Sequence, residues 1–98
     1  MLKNLLKIML LSILSVQFSY AVMVNDGFEE FKRGNITEAI SIFEQACTDG
    51  ASAGCYNAGL IYYKGEVISQ DYPTAVNYFV KACDDGHSAA CYNLAYMY

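Results

Sequence analysis

The sequence predicts an all-α chain, an α/α solenoid of short helical hairpins, and three observations carry that expectation. A cassette occurs twice, as Cys47-Thr-Asp-Gly-Ala-Ser-Ala-Gly-Cys55-Tyr56-Asn57 and as Cys83-Asp-Asp-Gly-His-Ser-Ala-Ala-Cys91-Tyr92-Asn93. Residues 35–62 laid on 71–98 agree without a gap at 12 positions, among them Ala39/Ala75, Phe43/Phe79, Ala46/Ala82 and both cysteine pairs. A fixed offset of this size is the signature of stacked repeats. The third observation is apolar spacing: Ile36, Ala39, Ile40, Phe43 and Ala46–Cys47 recur every three to four residues, and Tyr72, Ala75, Val76, Phe79 and Ala82–Cys83 repeat the stripe.

Taken in order, residues 1–21 read as an export signal that is cleaved. Lys3 and Lys7 supply a basic start, Ile8 to Val16 an apolar run, and Ser19-Tyr20-Ala21 the small residues a signal peptidase requires. The rival reading is an uncleaved membrane anchor, since apolar residues continue to Val24. Gln17 and Ser19 interrupt that run, leaving it short of the roughly 20 apolar residues of a typical span. The repeat domain is then 22–98.

A first helix is expected from Val24 to Arg33, ended by Gly34. The next begins near Ile36, with Asn35 or Thr37 as its cap, and stops at Gly50, where a left-handed residue is wanted. A third runs from Ala53 to Lys64 and ends at Gly65. After a loop to Asp71, Pro73 sits in the first turn of a fourth helix, which Gly86 stops. A fifth runs from Ala89 onward. Five helices make about two and a half hairpins, so the last repeat reads as truncated and the chain as a fragment.

Composition narrows the function classes. Ninety-eight residues allow one small domain. Loss of Lys3 and Lys7 with the leader takes the formal charge from −4 to −6, which speaks against a nucleic-acid partner. An even number of cysteines in a small exported chain points to disulfides and to a secreted or periplasmic location.

The repeat resembles the Sel1-like family, a relative of the tetratricopeptide repeat. The resemblance rests on Ala75-Val-Asn-Tyr-Phe-Val-Lys-Ala-Cys-Asp-Asp-Gly followed by Ala90-Cys-Tyr-Asn-Leu-Ala-Tyr-Met-Tyr98. Two cysteines per repeat make it similar to the cysteine-rich, exported branch known from Helicobacter and Campylobacter. The chain departs from the pattern at Glu30, where an aromatic is expected, and at Ala95, where glycine is expected.

For the cysteines, a spacing of eight is too wide for a zinc knuckle and for a Cys-x-x-Cys redox pair. Cys47 on the last turn of one helix and Cys55 on the first turn of the next, reversed by Gly50, come within bridging distance. The expected disulfides are therefore Cys47–Cys55 and Cys83–Cys91. No cofactor or metal is expected.

No catalytic residue is expected either. His87, the single histidine, reads as an exposed turn residue, and Asp84-Asp85 as a solvated helix end. The resemblance implies a possible penicillin-binding or β-lactamase activity. A serine β-lactamase needs Ser-x-x-Lys, and none of Ser41, Ser52, Ser69 or Ser88 is followed three residues later by lysine.

The tyrosines offer a binding surface instead. In tetratricopeptide-like stacks, the helices bearing Tyr56 and Tyr92 line the ligand groove. By helical spacing Tyr56, Leu60, Tyr63, Lys64, Tyr92 and Tyr96 face it, while Tyr62 and Tyr98 enter the core. The resemblance implies that Asn57 and Asn93 hold a partner's backbone. The expected function is a protein- or peptide-binding scaffold, with peptidoglycan-like or β-lactam ligands as further possibilities. Its alternatives are the hydrolase and a truncated fragment without independent function.

Overall fold

A computed structural model describes residues 1–66 and 68–97. The described residues form five helices: α1 (Leu2–Lys32), α2 (Ile36–Thr48), α3 (Ser52–Lys64), α4 (Tyr72–Asp84) and α5 (Ser88–Met97). Each packs against the next in sequence, α1 on α2, α2 on α3, α3 on α4 and α4 on α5. This serial packing is the solenoid arrangement. Tyr98, expected in the core, lies outside the described residues.

Two of the expected features take a different form. The leader and the first helix are one continuous 31-residue helix. Nothing between Leu2 and Lys32 breaks it, because the segment has no proline and a single glycine. Asn35 stands at the N-terminus of α2 without capping it. Its side-chain amide donates instead to Glu30 Oε2 at 2.8 Å, and Arg33 pairs with Glu30 Oε1 at 2.6 Å. The hydrogen bond from Asn35, with the Arg33 guanidinium beside it, holds Glu30 below the usual carboxylate range. Asp71 does cap α4, accepting from Thr74 N at 3.1 Å, with proline in the first turn as expected.

The turns at the two cassettes share one geometry. Gly50 and Gly86 adopt φ of 106° and 90°, a region that side-chain-bearing residues avoid. The residues after them fold back onto the helix they leave, Ala51 N to Ala46 O at 2.9 Å and His87 N to Ala82 O at 3.0 Å. These bonds satisfy carbonyls that the helix ends would otherwise leave open. Cys47 and Cys55 are bridged across the first turn with Cα atoms 4.5 Å apart, and Cys83 and Cys91 across the second at 4.8 Å.

Close approach of the helices depends on small residues facing two phenylalanines. Phe43 fills the space beside Gly27, and Phe79 the space beside Gly59, where an added Cβ would stand 2.7 Å from the ring. Both rings are essentially inaccessible. Around Phe43 gather Ala39 and Ala58, and around Phe79 gather Ala75, Ala82, Ala90 and Cys55. Burying rings of this size contributes about 1.5–3 kcal/mol each.

Candidate functional site

The expected groove residues do not share one surface. The structure divides them among a cleft between α1 and α3, a second cleft among α3, α4 and α5, the interior of the stack and, for Tyr92 and Asn93, positions on α5 that line neither cleft.

The first cleft has a volume of about 250 Å³ and is lined by Phe28 and Phe31 of α1, Phe43 of α2, and Asn57, Leu60, Ile61 and Lys64 of α3, with Glu66 just beyond. Three of the groove residues, Asn57, Leu60 and Lys64, therefore meet here. Their spacing of three and four places them on one face of α3. Asn57 is only 9% exposed and lines this cleft. A side-chain amide carries two donors and an acceptor, so Asn57 brings hydrogen-bonding groups to a largely apolar wall. Lys64 and Glu66 are both exposed and together bring charge of both signs to the rim.

The second cleft is lined by Tyr63, Tyr72, Val76, Tyr96 and Met97, with a volume near 370 Å³. Tyr63 meets Tyr72 with ring centroids 5.6 Å apart, and Gln70 Nε2 donates to the Tyr72 hydroxyl at 3.0 Å and to the Tyr63 carbonyl at 2.9 Å. Tyr92 and Tyr96 of α5 are 72% and 75% exposed, and Asn93 is half-buried.

Tyr56 does not face a groove. Its ring packs on Phe79 at 5.9 Å and stacks on His87 at 4.5 Å with an interplanar angle of 26°. The same contact corrects the reading of His87 as an exposed turn residue. It is half-buried, and its Nδ1 has no partner among the described residues. The turn that Gly86 reverses directs the His87 ring back toward α3, which the counterpart Ala51 could not reveal.

Sequence reading also missed a polar cluster at the junction of α2, α3 and α4. Glu44 accepts hydrogen bonds from the hydroxyls of Tyr62, at 3.4 Å, and Tyr78. The two phenol rings stack with centroids 6.0 Å apart. Tyr62 thus borders the core rather than filling it. Burial, with the Glu44 carboxylate adding to it, raises both phenols above their ordinary range. The missed signal was Tyr78, which falls outside the helices thought to line the groove.

The Sel1 repeat family model matches residues 15–50, 52–87 and 88–98, and the chain belongs to that family. It is 45% identical over 40 residues to a Helicobacter pylori (strain J99) protein provisionally named β-lactamase HcpE. That match covers 41% of this chain and 11% of the relative. A second Helicobacter pylori protein (strain 26695), provisionally named β-lactamase HcpC, is 33% identical over 48 residues, covering 49% of this chain and 17% of the relative. The aligned stretch is thus a small part of either relative. The chain is a disulfide-bonded Sel1 repeat protein.

Proposed function

We propose that this chain is an exported scaffold that binds an extended segment of a protein partner in the cleft between α1 and α3. The observation that carries this reading is Asn57: an amide held nearly out of solvent in a cleft of aromatic and aliphatic side chains, with Lys64 and Glu66 at its rim. An extended peptide presents alternating backbone N–H and C=O groups, which one side-chain amide pairs through its donor and acceptor. Phe28, Phe31 and Leu60 supply apolar area for a neighbouring side chain, and rigid aromatic rings lose little conformational freedom on contact. Export fits the two disulfides and the apolar N-terminal helix, with residues 1–21 as the export signal.

Selection of a random displayed peptide library on the oxidised full chain tests this reading. Enriched peptides are expected to lose at least tenfold in affinity, about 1.4 kcal/mol, on Asn57→Ala, with helix content unchanged. Enrichment insensitive to Asn57 and Leu60 substitutions, or no enrichment, refutes it. The hydrolase alternative rests on the relatives' provisional names. Among the described residues lining the cleft, Lys64 is the single basic one and none is a serine or histidine. Metal-free turnover of a chromogenic cephalosporin, lost on Asn57 substitution, would favour that alternative.

A further inference from the structure

The apolar half of α1 projects from the repeats. Leu5, Leu6, Ile8, Met9, Leu10, Leu11, Ile13 and Leu14 are all more than half exposed, on every side of the helix. A helix apolar all round suits a protein interior or a bilayer, and the other described helices leave this half uncovered.

We propose that α1 is retained as a membrane anchor and that its C-terminal half is at the same time the first helix of the solenoid. This inference rests on the export reading above. Three independent observations support retention of the segment rather than its removal.

First, the repeat extends upstream of the expected scission after Ala21. The family match begins at residue 15. Aligning Gly27 with Gly59, each packed on its phenylalanine, places Tyr20 at the position of Ser52, the first residue of α3. A cut after Ala21 would remove the start of a helix that the repeat uses.

Second, Tyr20 is engaged in the fold. Its hydroxyl donates to the carbonyl of Asp49, the residue closing α2, and an added Cβ on Gly50 would stand 3.0 Å from that hydroxyl. Gln17, Tyr20 and Ala21 line a cleft with Gly50, Ala51, Ser52 and Ala53. The polar residue that interrupts the apolar run is therefore turned toward the first cassette.

Third, the remainder suits hydrocarbon. Ser12 and Ser15 satisfy their hydroxyls internally, donating to the carbonyls of Ile8 and Leu11 at 3.0 Å. Leu2 to Ser19 spans about 27 Å at 1.5 Å per residue, the length of a short span whose far end, from Gln17, lies at the interface beside the first cassette. Lys3 and Lys7 can extend their ammonium groups to the headgroups at one end, and Tyr20 falls at the opposite interface. The basic N-terminal end is the end retained on the cytoplasmic side, so both cassettes lie on the oxidising side.

Expression of the full chain in a bacterium with an intact export pathway, followed by carbonate washing of membranes and intact-mass measurement, tests the inference. The expected result is a carbonate-resistant protein of uncut mass, 10.9 kDa, with both disulfides formed. Tyr20→Phe should lower its urea midpoint. A disulfide-bonded soluble protein beginning at Val22, whose stability does not respond to Tyr20→Phe, overturns retention while leaving export standing. An uncut chain with four reactive thiols overturns both readings.

Discussion

The two cassettes share a covalent plan and differ in their surroundings. Around the first, Cys47 and Cys55 are buried, Tyr20 reaches the turn from α1, and Gly54 lets α3 approach Ala46 so closely that an added Cβ would stand 2.7 Å from it. Around the second, Cys83 and Cys91 are half-buried, and α5 turns Tyr92 and Tyr96 to solvent. The same nine-residue ring is thus an interior element in one repeat and a surface element in the next. Flanking helices, rather than the bridge, decide how much the rest of the fold depends on each turn.

Replacing each cysteine pair by serine should separate the two most widely. Loss of either ring costs roughly 2.5 kcal/mol on the chain-entropy account. At Cys47/Cys55 two buried hydroxyls add about 1–3 kcal/mol each where they find no partner. Urea unfolding should therefore show a clearly larger loss for the first pair. Alanine pairs should bring the two losses together, and equal losses with serine would dissolve the contrast. Limited reduction with alkylation should label Cys83 and Cys91 first.

A smaller effect concerns helix approach. Gly59→Ala places a methyl group against Phe79 and should cost about 1–3 kcal/mol through overpacking. Ala95→Gly at the corresponding exposed place on α5 should cost only about 0.5–1 kcal/mol, through lost helix propensity. Thermal melts of the two variants make the comparison.

The Glu44 cluster serves only the first junction, since Val80 stands where a second Glu44 would be. Tyr78→Phe should cost about 1 kcal/mol. The fold holds Tyr78 and Tyr62 protonated beyond their unfolded range. Their contribution is therefore complete below about pH 10 and lost as pH rises through the folded values. The wild type should lose stability through that alkaline window, and Tyr78→Phe should lose less. Smallest of all, Tyr92→Ala and Tyr96→Ala should change stability by no more than about 0.5 kcal/mol.

These differences also show what the sequence could reveal. Helix count, stop residues and bridge positions were legible because each follows from local pattern: apolar spacing, a glycine at a left-handed turn, two cysteines at a fixed separation. The cleft was legible in part. Asn57, Leu60 and Lys64 share a face by helical periodicity, whereas Phe28, Phe31 and Phe43 join them through packing of three helices. Tyr56 was misread because its partner His87 lies 31 residues away, across a turn whose exit direction no periodicity specifies. The Tyr62–Glu44–Tyr78 cluster was invisible for the same reason, being a long-range meeting of residues with no shared spacing.

Each bridge also withholds chain from extension. Between Cys47 and Cys55, and between Cys83 and Cys91, about 27 Å of contour length is locked at the 3.3–3.6 Å per residue of an extended backbone. Pulled from its ends, an oxidised molecule should yield outside the two rings, in residues 1–46 before the first and 56–82 between them. Reduction should lengthen the fully stretched chain by nearly that amount per bridge, less the span of the bridge itself. Under load the molecule would behave as two inextensible corners set in an otherwise extensible chain.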